Sequence, residues 1–171
     1  FELYVLPSLL PHIQLSPVEA TAMWQLEDAL RTAGAEIAVY YDSRGLVPRK
    51  RSAQLDIRRI PCSTRKGFFH PKMFLPLREP VDAQSTEAEQ LIVLTTSANL
   101  TQAGWWENLE VAHLEVLDGG SKSSMRDELL DVIARVRRSA PGGAEHRALD
   151  TVRAFVRRLQ PRIHRSSGGR L

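Results

Sequence analysis

The run at residues 91–96 (LIVLTT) is the longest apolar stretch in the chain, and it constrains the fold more than any other feature. It falls far short of the roughly 20 residues needed to span a bilayer, so it reads as a strand, and no membrane crossing is expected. Residues 108–117 alternate well enough to form another strand, with Leu109, Val111, Leu114 and Val116 as candidate inward positions. Shorter strand-type runs occur at residues 2–10, interrupted by Pro7, at residues 36–41, and around Leu55, Ile57 and Ile60. Residues 68–77 read as extended, and residues 42–53 as a loop.

Helical patterns lie between and after these runs. Ser16, Pro17 and Glu19 supply an N-cap, a first-turn proline and a capping-box acid. Ala22, Met23, Leu26, Ala29 and Leu30 follow at helical spacing, and Gly34 stops them. From Ser121 onward Met125, Leu129, Leu130, Val132, Ile133 and Val136 recur at three- and four-residue steps until Pro141, Gly142 and Gly143 break the pattern. A last helix is expected at residues 144–159, with Leu149, Val152, Phe155, Val156 and Leu159 as its core stripe. Strands mixed with helices imply a layered α/β domain.

With 171 residues, 43% of them apolar, the chain can bury one sizeable core and is short for two. We expect a single domain over residues 1–160 and a flexible tail or linker at 161–171. The chain opens on Phe1 and enters strand-type sequence at once, as an excerpt of a longer polypeptide would. Its single cysteine, Cys62, cannot form an internal disulfide and has no partners at metal-ligand spacing, which points to a reducing, cytoplasmic setting with no metal or cofactor.

The net charge of +3 conceals an uneven distribution, with acids in excess before Ser121 and bases in excess after it. A second basic cluster interrupts the acidic part: Arg44, Arg49, Lys50, Arg51, Arg58, Arg59, Arg65 and Lys66 are accompanied by Asp56 alone. Such density suits a polyanion, because each neutralised phosphate releases condensed counterions; a solvated face is the blander alternative. Arg49, Lys50, Arg51, Arg65 and Lys66 are the candidate nucleic-acid contacts.

His70 and Lys72 are two residues apart on an extended segment and so face the same side. A neutral imidazole is a nucleophile near physiological pH, and the lysine supplies a fixed charge for phosphate oxygens. Ser97 and Asn99 follow the strand at 91–96 with the same spacing and add uncharged hydrogen-bond donors. His12, His113, His146 and His164 lack a lysine two residues on and read as packing or surface residues. Trp105 and Trp106 read as core, with base stacking as the alternative.

The set His70-Pro71-Lys72, followed by Thr96-Ser97-Ala98-Asn99 and then Leu100, Thr101, Gly104, Asn108 and Glu110, resembles the half-site motif of the phospholipase D superfamily. The resemblance covers residues 68–111 specifically. It departs from the family at two positions: Leu77 stands where an aspartate follows the lysine, and Thr96 where a glycine precedes the serine. The tyrosyl-DNA phosphodiesterase branch also lacks that aspartate and carries a similar T-S-A-N-L stretch, so the motif is closer to that branch.

The resemblance implies an α/β/α domain with a mixed central sheet and metal-independent phosphodiester cleavage through a phosphohistidine. In that scheme His70 is the nucleophile or, by symmetry, the acid. Lys72 and Asn99 bind the non-bridging oxygens, Ser97 supports them, and Glu110 holds the second imidazole nitrogen. Two histidines are needed and the chain has one motif, so either two copies pair as a homodimer or a second motif lies elsewhere in a longer chain. The basic clusters favour nucleic acid, DNA rather than RNA, and hence a nuclease, with an antiviral defence setting as a family habit. The competing readings are a nucleic-acid-binding or assembly module with a weakened site, and a phospholipid hydrolase.

Overall fold

The computed structural model describes residues 14–44, 57–80, 87–99 and 107–162. The expected strand at 2–10, Leu55, the basic residues Arg49, Lys50 and Arg51, the segment with Leu100, Thr101, Gly104, Trp105 and Trp106, and residues 163–171 with His164 lie outside them, as does His12.

The first element is helix α1 (Glu19–Ala33), one face of which carries Leu26 and Leu30 into a small core with Ile57. Val18, not Ser16, occupies its N-cap position. The Ser16 hydroxyl instead accepts the Val18 N–H at 3.2 Å, a local serine turn that competes with capping. Gly34 ends the helix as expected, at φ 60°, a left-handed conformation that costs glycine no Cβ clash.

Strands β1 (Ile37–Asp42) and β2 (Ile57–Cys62) pair in parallel, Ile37 against Ile57 and Asp42 against Cys62. Ile37 and Val39 pack towards α1, while Tyr40 packs against the larger core. That core forms over the antiparallel sheet centred on β5 (Gln90–Thr96), which pairs with two short strands, β3 (Met73–Phe74) and β4 (Leu77–Arg78), and with β6 (Ala112–Asp118). Leu91 and Val93 are fully buried, and they pack with helix α2 (Arg126–Ser139) through Leu129 and Ile133 and helix α3 (Arg147–Arg158) through Leu149, Val152, Phe155 and Val156. A two-residue parallel pair, β7 (Lys122–Ser123) with β8 (Gln160–Pro161), joins the segment before α2 to the segment after α3. Parallel and antiparallel pairings thus coexist, in three sheets and with three helices among the described residues, a mixed α/β fold.

Strand β6 corrects the sequence expectation about which side chains turn inward. Leu109, Val111, Leu114 and Val116 are exposed, and Leu117 is buried. The register explains this: Leu117 lies opposite Leu91 and Glu115 opposite Val93, so the odd-numbered positions of β6 share the face that the helices cover. Alternation identifies two faces and leaves open which one is buried.

Candidate functional site

The candidate residues gather around the C-terminal end of β5. Lys72 immediately precedes β3, and its carbonyl accepts the Thr96 N–H at 3.0 Å, which extends the β3–β5 ladder by one rung. On the opposite edge of β5, the Ser97 N–H donates to the Val111 carbonyl at 2.9 Å. One strand end therefore holds the H-x-K segment on one side and the segment leading from Glu110 on the other.

Beyond Thr96 the strand geometry stops. The Thr96 hydroxyl oxygen accepts the Ala98 N–H at 3.0 Å, a turn that threonine makes through its own side chain. Ala98 is buried there, with Ser97 and Asn99 exposed on either side of it. The Ser97 hydroxyl accepts the Val111 N–H at 3.0 Å and donates to the Glu110 carboxylate. Asn108 reaches the other oxygen of Glu110 at 3.5 Å.

His70 and Lys72 are together as the spacing predicts. The Lys72 ammonium lies 3.0 Å from Nδ1 of His70 and 3.2 Å from Nε2. An ammonium can only donate, so it addresses whichever ring nitrogen carries no proton. The structure thus joins His70 to Lys72 and Ser97 to Glu110; among the described residues, Glu110 hydrogen-bonds Ser97 and Asn108 rather than His70.

Sequence reasoning missed the brace behind His70. Asp42, the last residue of β1, accepts the Phe69 N–H at 2.6 Å and so anchors the residue just before the histidine. The same carboxylate takes the Arg44 N–H at 2.9 Å and the guanidinium at 3.0 and 2.8 Å. Hydrogen bonds from Arg44, side chain first and then backbone, together with the Phe69 amide, hold the Asp42 carboxyl well below the usual carboxylate range. Arg44 also donates to the Gly67 carbonyl at 2.6 Å, where Thr64 adds a second bond at 2.9 Å, and its guanidinium lies 4.5 Å over the Phe68 ring. No local spacing announces this arrangement, because Asp42 and Phe69 are 27 positions apart.

Of the candidate nucleic-acid contacts, Arg65 and Lys66 are exposed on the bend that leads into this brace. Arg58 is engaged with Glu145. Among the described residues no group of three His, Cys, Asp or Glu side chains is placed to hold a metal ion, and no helix is long and apolar enough to cross a membrane. Comparison of the chain with protein-family models, curated proteins and solved structures returns no match.

Proposed function

We propose that this chain is one half of a phospholipase D type phosphodiesterase, acting as a metal-independent nuclease in the cytoplasm. The observation that carries the reading is that two hydrogen-bonded pairs, His70 with Lys72 and Ser97 with Glu110, lie on segments tied by their backbones to the end of the same strand. In the proposed reaction an unprotonated nitrogen of His70 attacks phosphorus. The P–O bond to the leaving oxygen breaks as that oxygen takes a proton from a second imidazole. Water, deprotonated by that same imidazole, then cleaves the P–N bond and regenerates His70. Lys72 and Asn99 stabilise the charge on the non-bridging oxygens, and Ser97 fixes the carboxylate of Glu110.

The second imidazole belongs, in this reading, to a second copy of the chain. Leu114 and Val116 are exposed on the face of β6 turned away from the helices, and among the described strands β6 pairs only with β5. Burying that face against its symmetry mate would supply the two-fold pairing that this reading needs. The layered α/β/α arrangement with one mixed central sheet is part of the same proposal.

Leu77 supports a second reading, a nucleic-acid-binding module with a silent site. It pairs with Leu91 in β4 and packs against the core, where the resemblance asks for a carboxylate. Labelled single- and double-stranded DNA incubated with the protein in EDTA, beside a His70→Ala control, separates the two. Cleavage by the wild type alone, reduced at least about 10²-fold in the variant, is the expected result. Salt-sensitive binding without cleavage by either protein would leave the module; head-group release from phospholipid vesicles would mark a lipid hydrolase.

A further inference from the structure

Phe68 stands two residues before His70 and is 73% exposed, whereas Phe69 between them is 8% exposed. Phe68 and His70 are exposed on either side of the buried Phe69, so both side chains face outward from this segment. A large aromatic ring left in water beside a candidate nucleophile calls for a reason, since the core is within reach of its neighbour.

The ring is held in place rather than merely left out. Arg44 covers one face at 4.5 Å, and Arg44 is itself fixed by Asp42 and by the Gly67 carbonyl at 2.6 Å. This cation–π contact keeps the aromatic upright on a braced support. Two residues along an extended chain cover roughly 6.6 Å, comparable to the reach from a nucleotide's phosphate to its own base.

We propose that Phe68, braced by Arg44 and Asp42, is a base-stacking subsite, and that the substrate is single-stranded nucleic acid whose unpaired base next to the scissile phosphate stacks on this ring. The inference rests on the phosphodiesterase reading of His70 and Lys72. A base inside a duplex has both faces occupied by its neighbours, whereas an unpaired base offers a face to any aromatic platform. Arg65 and Lys66, exposed on the preceding bend, are placed to follow the adjoining phosphates.

The test compares wild type, Phe68→Ala and Phe68→Trp on two oligomers of equal length in EDTA, one of thymidine and one built wholly from abasic units. Phe68→Ala should lower kcat/KM on the thymidine oligomer by roughly 5- to 150-fold, leave the abasic oligomer unchanged, and be rescued by Phe68→Trp. Equal loss on both oligomers, or no loss on either, overturns the subsite. Should the wild type cut neither, the phosphodiesterase reading falls, and fluorescence anisotropy decides the subsite separately. A preference for the thymidine oligomer that Phe68→Ala erases would sustain it; no preference in the wild type would end it.

Discussion

His146 is the one imidazole among the described residues that is buried, and its chemistry sets how the protein responds to acid. Its ring stacks on Tyr40 with centroids 5.7 Å apart, and its Nδ1 lies 2.8 Å from the tyrosine hydroxyl, which donates to it when the ring is neutral. Burial, and then the nearby Arg137, push its pKa below the ordinary 6.5; burial, then the Cys62 thiol, push the Tyr40 hydroxyl up to about 12. Unfolded, the imidazole takes a proton near 6.5 while the folded one resists, so this contribution to stability is complete above 6.5 and is lost as the pH falls. The melting temperature of the wild type should therefore drop between pH 7 and 5.5, and His146→Gln should flatten that interval; an unchanged slope in the variant would refute the assignment. Asp42, whose pKa is shifted downward from 3.8, acts in a separate window: its share is present above 3.8 and disappears in stronger acid. Among single residues, His70 and Lys72 were legible because two positions on one extended segment determine whether they meet. The brace from Asp42 and the ring contact of Tyr40 with His146 depend on positions 27 and 106 residues apart, which no local pattern encodes.

At the level of elements, the helical stripes were the clearest part of the sequence. Leu149, Val152, Phe155, Val156 and Leu159 are all buried, because a 3.6-residue period leaves one choice of inward face when the rest is arginine, aspartate, threonine and alanine. Strand β6 was misjudged since both of its faces carry apolar residues and the register with β5 decides between them. Strand β3 and the first residue of β4 fall in the segment read as extended, whereas β7 and β8 went unread, being two residues each and defined by pairing rather than by composition. The difference between stripe and exposed face can be measured by urea denaturation. Phe155→Ala empties a fully buried position and should cost about 3–5 kcal/mol, while Arg157→Ala on the exposed side of the same helix should stay within about 0.5 kcal/mol. Similar losses from both would contradict the arrangement of helices over β5.

For the whole molecule, the excess of base after Ser121 and the cluster around Arg65 and Lys66 make association with a polyanion strongly dependent on salt. Replacing both Arg65 and Lys66 by alanine should reduce the slope of log affinity against log salt by about 0.7 for each phosphate of single-stranded DNA that is no longer neutralised. An unaltered slope in a titration from low to high salt would place the phosphate-binding surface elsewhere. The bias in charge was readable from the sequence, but its geometry was not, since Arg58 turns out to be occupied by Glu145. The Ser97 hydroxyl carries a final implication. One oxygen closes the last rung of the β5–β6 ladder and also steadies the acid of the proposed centre. A guest that drew that hydroxyl's proton to itself would release Glu110, so occupancy would be felt at the margin of the sheet as well as in the chemistry.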